Sequence, residues 1–164
     1  MDSQTNRMQK LNKYKSKIIG RLIQSQELCK ALYYQESNFL ELPDIDPYIL
    51  LEGNTKRIYS YKFVPDSTND QNAYITMEYL NAGARKRYKR NFIQIFCLVH
   101  KSNEETDIGW NRSDYILHLI DQQVNQMRGI GIGKLEFYDS DNVFIRINDA
   151  YYVRYNMYRF YDFN

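Results

Sequence analysis

The stretch FIQIFCLVHK, residues 92–101, decides the fold of this chain. Its apolar side chains occupy both odd and even positions: Ile93, Ile95, Cys97 and Val99 alternate with Phe96 and Leu98. Successive side chains of a strand point to opposite faces of a sheet, so both faces of this strand are apolar. Strands of that kind lie inside sheets that are covered on both sides. We therefore predict that residues 92–101 form the central strand of a covered sheet.

Shorter runs of alternating apolar and polar residues surround this strand. They lie at residues 59–64, 75–80, 135–137, 143–147 and 153–158. Residues that favour turns, chiefly Asn, Asp and Gly, separate several of them, at 81–83, 139–142 and 148–149. Consecutive strands joined by short turns pair in antiparallel fashion, so these runs predict a mainly antiparallel sheet.

Two segments have the three- and four-residue spacing of helices. Residues 5–34 predict one long helix with an apolar stripe, and Gly20 inside it favours a bend or a close contact. Residues 111–128 predict a second helix. The segment between the first helix and the strands, residues 35–55, contains Pro, Gly, Asn and Asp and is expected to be irregular but attached to the surface.

The order of these elements predicts an α+β fold. We expect a mainly antiparallel sheet of five to six strands, with the long N-terminal helix and the second helix packed on it. A chain of 164 residues is the size of one domain and buries roughly 70% of its unfolded surface. We therefore treat residues 1–164 as a single domain made of a helix (1–34), an irregular segment (35–55) and a sheet with a helix (56–164).

Composition limits the classes of function. The 22 basic residues nearly balance the 20 acidic ones, which leaves a net charge of +2. That balance excludes a globally basic nucleic-acid binder but not a local basic patch. Aromatic residues make up 15% of the chain, with 16 tyrosines and 8 phenylalanines. Because tyrosine is favoured where proteins meet, this excess points to a contact surface.

The most specific local signal is a basic run at residues 85–90, made of Arg85, Lys86, Arg87, Tyr88, Lys89 and Arg90. It is either a solvated hairpin tip or a contact with an anion, such as a phosphate backbone or an acidic patch on a neighbour. The acidic residues that would complement it are Glu104, Glu105 and Asp107. If identical subunits meet head to tail, the basic run of one can reach the acidic segment of the next.

Aromatic residues also crowd the C-terminal strand. We single out four of them as a predicted aromatic interface: Tyr155, Tyr158, Phe160 and Tyr161. A last strand facing water has little need of so many rings. The segment is therefore either part of the core or a contact surface for another subunit, and we predict the contact surface.

No catalytic motif or cofactor site is predicted. Cys29 and Cys97 fall on apolar positions and are expected to be core residues. The two histidines, His100 and His118, have no partners at zinc-site spacing. A nuclease centre would need carboxylates and a lysine together, and only three residues could be forced into that pattern: Glu78, Lys134 and Glu136. We expect no enzyme, no metal and no cofactor, and no membrane contact, since no apolar run approaches about 18 residues.

The order of elements resembles that of the neck proteins of tailed bacteriophages, in particular tail-completion (tail terminator) and head–tail joining proteins. The segments that carry the resemblance are the helix at 10–34, the hairpin at 73–101, the helix at 111–128 and the final strand at 151–161. The segment 35–55 and the strand at 143–147 depart from the smallest members, which leaves the neck position open.

This resemblance implies a structural virion protein without catalytic activity. It would form an oligomeric ring that joins the portal or connector to the tail around the DNA passage, after assembly in the host cytoplasm. Its partners would be copies of itself, portal and tail proteins, and genomic DNA through non-specific contact. The alternatives are a small nucleic-acid-binding protein that uses residues 85–90, or a metal-dependent nuclease.

Overall fold

A mixed sheet organises the computed structural model, which describes residues 3–66, 70–85, 88–142 and 150–163. Over these residues, five strands form the sheet: β1 (Ile58–Tyr59), β2 (Ala73–Arg85), β3 (Tyr88–His100), β4 (Ile132–Asn142) and β5 (Tyr151–Phe163). Their spatial order is β1-β2-β3-β5-β4. All neighbours are antiparallel except β1 and β2, which are parallel. The predicted α+β class and mainly antiparallel sheet are confirmed.

The central position of β3 is also confirmed. It pairs with β2 from Arg85 opposite Tyr88 to Ala73 opposite Val99. On its other side it pairs with β5 over its whole length, up to Tyr151 opposite His100. The predicted cover is complete on the face that packs against the helices, whereas on the opposite face a second apolar cluster covers only the part of β3 around Leu98.

Three α-helices occur in the described chain: α1 (Ser3–Leu22), α2 (Gln26–Tyr33) and α3 (Arg112–Val124). Short 3-10 helices lie at Phe39–Glu41, Pro47–Leu50, Gly53–Thr55 and Lys101–Asn103. The predicted long helix is thus divided into α1 and α2. The division falls after Leu22, where the Ser25 hydroxyl oxygen accepts a hydrogen bond from the Leu28 amide and starts α2.

The main core lies between the helices and one face of the sheet. Apolar side chains from α1, α2 and α3 meet those of the three central strands there, and the buried set includes Ile18, Leu22, Leu28, Leu32, Ile75, Met77, Ile93, Ile95, Ile116 and Ile120. Cys29 and Cys97 belong to it as free, fully buried thiols, which confirms their predicted place.

A smaller cluster covers part of the opposite face of the sheet. It consists of Tyr74, Leu98, Tyr151 and Val153, with Tyr59 and Phe63 packed against it. The Tyr59 and Phe63 rings stack with centroids 3.9 Å apart. The strand predicted at residues 59–64 therefore ends at Tyr59, because the rest of that segment crosses this face as a cover instead of pairing at its edge.

Two further boundaries differ from prediction. The turn predicted at residues 139–142 is strand, since β4 continues to Asn142 and pairs with β5 up to Arg154. Polar residues fit there because β4 is an edge strand exposed to solvent. The second helix ends at Val124, short of residue 128, and Gln126 then adopts a positive φ of 67°. The strand predicted at 143–147 and the turn at 148–149 lie outside the described residues.

Candidate assembly surfaces

The basic run lies at the far end of the β2–β3 hairpin. Arg85 is paired with Tyr88 at the last described register position, and Lys86 and Arg87 lie outside the described residues. The end of β5 runs beside it, with Lys89 opposite Asp162. The sequence has no acidic residue between Glu78 and Glu104, so the outer part of the hairpin carries charge of one sign.

The acidic segment divides into two kinds of residue. Glu104 turns inward to the start of α3, where its carboxylate accepts hydrogen bonds from the Ser113 amide at 3.3 Å and from the Ser113 hydroxyl. Burial raises the pKa of Glu104, and these bonds act in the opposite direction. Glu105 and Asp107 are exposed. Glu104 is therefore a capping group of α3, and Glu105 and Asp107 are the predicted contact residues that face solvent.

The predicted aromatic interface requires a correction. Tyr158 and Phe160 are fully buried in the core between β5 and the helices. The Tyr158 hydroxyl donates to Asp121 Oδ1 at 3.1 Å and accepts from Asn156 Nδ2 at 3.1 Å, and Phe160 meets the Tyr14 ring edge-on. Alternate residues of β5 face the helices, so these two side chains are unavailable to another subunit. Burial also raises the pKa of Tyr158.

Tyr155 and Tyr161, the other two predicted interface residues, lie on the opposite face of the sheet. They belong to what we call the open face, the part of that face beyond the Tyr59–Phe63 cover. By register and ring contacts it comprises Leu80, Arg90, Phe92, Gln94, Tyr138, Tyr155, Met157, Arg159 and Tyr161. Tyr138 is 51% exposed and Tyr161 37%. None of the three described helices packs on the open face.

Arg159 contacts two tyrosine rings of the open face. Its guanidinium lies 5.9 Å from the Tyr138 ring centroid and 5.5 Å from that of Tyr161, and it pairs with Glu136 at 2.8 Å. This ion pair raises the pKa of Arg159 and lowers that of Glu136. Tyrosine and arginine held in fixed positions on an accessible surface are the residue types enriched at protein interfaces.

A cleft of about 630 Å³ opens on the helix side of the sheet, at the β4 edge. We call it the α3 cleft. It lies between the loop before α3, α3 itself and the strands β4 and β5, and its lining includes Trp110, Asp114, His118, Asp121, Phe137, Ser140, Arg154 and Asn156. Trp110 is 47% exposed and Phe137 45%, so two large aromatic walls face water.

The polar groups of the α3 cleft are fixed by their neighbours. Asp114 forms an ion pair with Arg154, and Asp121 accepts the Tyr158 hydroxyl. The Trp110 ring lies 5.2 Å from His118, measured between centroids. Two carboxylates and one guanidinium thus line the cleft. Glu105 and Asp107 are exposed in the loop that leads to Trp110, so this loop is acidic as well.

Sequence reasoning missed the α3 cleft because its walls come from three separate parts of the chain. Trp110 follows an acidic loop, Phe137 belongs to an edge strand, and Arg154 lies in β5. The one available signal was Trp110, the only tryptophan of the sequence, placed in a polar segment directly before the helix start at Asn111.

The residues considered for metal or nuclease chemistry are not brought together. Glu78 is on β2 and Glu136 is on β4, three strand spacings or about 14 Å across the sheet. Lys134 instead donates to the Gln126 side chain. Within the described ranges, no group of three or more His, Cys, Asp or Glu residues could hold a metal ion. None of the helices described is both long enough and apolar enough to cross a bilayer.

The sequence pattern of the YomW family matches residues 25–160, which span α2, α3 and nearly all of the sheet. The chain belongs to the YomW family. This family is of a prophage type, so the YomW assignment makes the chain a phage-related protein. No curated protein matches the sequence.

Proposed function

We propose that this YomW-family protein is a structural subunit of a phage particle, which forms an oligomeric ring at the neck. There it joins the portal or connector to tail proteins around the DNA passage and performs no catalysis. The phage-type family supports a role in a phage particle, and the resemblance in element order supports a position at the neck.

The observation that carries the proposal is the open face. A four-strand surface bearing Tyr138, Tyr155 and Tyr161 beside Arg159 is left accessible, although the other half of the same sheet face is covered by the chain itself. Rigid aromatic side chains lose little entropy on binding and bury a large area, so such a surface favours association with another protein. In a ring, that protein is another copy or a neighbouring neck component.

Mass by light scattering tests the proposal. The protein at up to about 100 μM, well above micromolar dissociation constants, is expected to form a defined oligomer. The double variant Tyr138→Asp/Tyr161→Asp should lose it, because two carboxylates would be desolvated at the contact. Tyr48→Asp, a change at another exposed tyrosine in the 3-10 helix at Pro47–Leu50, is the matched control.

Two results would count against this function. A wild-type protein that stays monomeric over that range, and that does not sediment with portal or tail components, is not a ring subunit. Oligomers that persist unchanged in Tyr138→Asp/Tyr161→Asp would remove the open face from the explanation.

A second candidate is nucleic-acid binding, favoured by the position of Arg90 on the open face near Phe92 and Tyr161. Basic residues beside stackable rings are the elements of a single-strand binding surface. It predicts binding to single-stranded DNA that weakens steeply between 50 and 200 mM salt, by about tenfold or more for several phosphate contacts, and that Arg90→Glu abolishes. Absence of binding in fluorescence anisotropy at the lower salt concentration would dismiss it.

A further inference from the structure

We propose that the α3 cleft is the receptor for the basic hairpin of a second copy of this chain. The inference deepens the proposed ring function and rests on it, since it names the contact through which neighbouring subunits would meet.

Charge and side-chain chemistry match between the two surfaces. The hairpin carries five cationic residues and one tyrosine over residues 85–90, with no acidic residue from 79 to 103. The α3 cleft offers Asp114 and Asp121 against Arg154, and the loop that leads into it at Gly109 carries the exposed Glu105 and Asp107. Trp110 and Phe137 supply exposed rings that arginine and lysine bind by cation–π contact.

The size of the cleft fits a segment of this kind. Its volume of about 630 Å³ lies within the range of roughly 300–1,000 Å³ found for cavities that enclose a ligand. The cleft lies at the β4 edge of the sheet, a place that a segment of another copy can reach.

A subunit cannot fill its own cleft. The hairpin end is fixed in the sheet by Tyr88, which pairs with Phe163. The cleft residues Arg154 and Asn156 pair with Cys97 and Ile95, seven to nine residues further along β3. At about 3.3 Å per residue, the two sites are roughly 23–30 Å apart along the strands, and they lie toward opposite sides of the sheet.

Contact between different surfaces of identical chains is heterologous, and such contacts close into rings when the rotation between subunits permits. The hairpin on the β2–β3 side and the cleft on the β4 side therefore give each subunit one donor and one acceptor. This is the arrangement that a ring subunit needs.

Trp110 makes the contact measurable because it is the only tryptophan and it lines the cleft. With the full-length protein, concentration-dependent assembly is expected to shift the tryptophan emission to shorter wavelength and to reduce quenching by acrylamide. The hairpin variant Arg85→Glu/Lys89→Glu and the cleft variant Phe137→Arg should each weaken self-association by at least about 30-fold, the effect of losing one hot-spot contact.

The decisive experiment mixes these two variants. Each alone should be monomeric, but Arg85→Glu/Lys89→Glu keeps an intact cleft and Phe137→Arg keeps an intact hairpin. Their mixture should give a one-to-one pair that grows no further, with Trp110 of the hairpin variant protected. Lys13→Glu/Lys62→Glu, the same charge change at two exposed lysines, should assemble like the wild type. Ser140→Arg provides a second cleft variant if Phe137→Arg fails to fold.

The outcomes separate this inference from the proposed function. If the wild type assembles but Trp110 stays accessible, or both variants assemble normally, or their mixture gives no pair, the hairpin–cleft contact is wrong and the ring function stands. If the wild type does not assemble at about 100 μM, the hairpin–cleft contact is overturned, and if it also fails to sediment with portal or tail components, the ring function is overturned with it.

Discussion

Replacing Arg112 by alanine is expected to remove most of the stability of this protein. Arg112 is fully buried at the start of α3, and its guanidinium donates to five backbone carbonyl oxygens. These belong to Ala31, Tyr34, Gln35, Glu36 and Asn103, at distances from 2.6 to 3.3 Å. One side chain thus holds the end of α2, the segment after it and the loop before α3.

The magnitude follows from those bonds. A hydrogen bond to a charged group contributes about 1.5–3 kcal/mol, and a buried carbonyl left without a donor costs about 1–3 kcal/mol. The five bonds share one side chain, so their energies are not additive, and we expect a loss of at least about 4 kcal/mol. Against a total of about 5–15 kcal/mol, Arg112→Ala leaves the protein marginal or unfolded. Burial lowers the pKa of Arg112 to about 10, which still keeps it charged at neutral pH.

Urea denaturation followed by circular dichroism measures this effect. With a slope of about 2 kcal/mol per molar urea, the loss corresponds to a midpoint about 2 M lower. Arg112→Lys retains the charge but has three donors for five acceptors, so an intermediate loss of about 2–4 kcal/mol is expected. Arg128→Ala, at an exposed arginine, should change stability by less than about 0.5 kcal/mol. A loss below about 1 kcal/mol for Arg112→Ala would refute the reasoning.

Three further predictions concern single side chains. Gly131→Ala should destabilise the protein by more than about 3 kcal/mol, because the added Cβ would overlap the Tyr161 carbonyl oxygen. Gly133→Ala, also at positive φ but in open space, should cost only about 1–2 kcal/mol. Equal urea midpoints for the two variants would contradict this. Tyr158→Phe should lower stability by about 1–2 kcal/mol, because it removes the hydroxyl between Asp121 and Asn156. Tyr48→Phe, at an exposed ring, should leave stability unchanged. Thermal melts test this, and equal melting temperatures for the two variants would contradict it. Glu104 has a native pKa raised above its usual 4.5, so its contribution to stability falls as pH rises from 4.5 through the native value. Glu104→Gln should remove that fall from a series of urea midpoints between pH 4.5 and 7, and an unchanged slope would show that another group is responsible.

The main elements of the fold could be predicted because burial imposes a period on the sequence. The stretch at 92–101 is apolar on both faces, and it is the strand with neighbours on both sides. The helical stripe from Leu11 to Leu32 is buried throughout, although the helix divides after Leu22. The division left no mark in the hydrophobic pattern, since both helices pack against the same face.

Boundaries set by tertiary contacts could not be predicted in this way. Residues 59–64 alternate in the way typical of a strand. Beyond Tyr59, however, the segment crosses the face of the sheet opposite the helices and covers part of it, with Phe63 stacked on Tyr59. Residues 139–142 have the composition of a turn, but polar side chains are equally suited to an exposed edge strand. Local sequence does not distinguish these cases.

The candidate surfaces were predicted only in part. Arg85 and Tyr88 of the basic run occupy the last described register position of the β2–β3 pair, and Tyr161 of the predicted aromatic interface is exposed. That these residues contact a partner stays a prediction. Tyr158 and Phe160 were misassigned because β5 alternates between core and open face within one aromatic run. The α3 cleft depends on the juxtaposition of Trp110 with strands that follow it, which no linear pattern records.

The reactivity of the two buried cysteines can report when the structure around each of them opens. Cys29 lies in α2 and Cys97 in β3, and burial raises the pKa of Cys29 to about 11 and that of Cys97 well above its usual value. Since only the thiolate reacts, a thiol reagent modifies each site when the surrounding structure opens. Pulse labelling followed by mass spectrometry would therefore show whether the α2 site and the β3 site become accessible together or one before the other. A cysteine introduced at the exposed Phe137 position of the cleft would react far ahead of both in the folded protein.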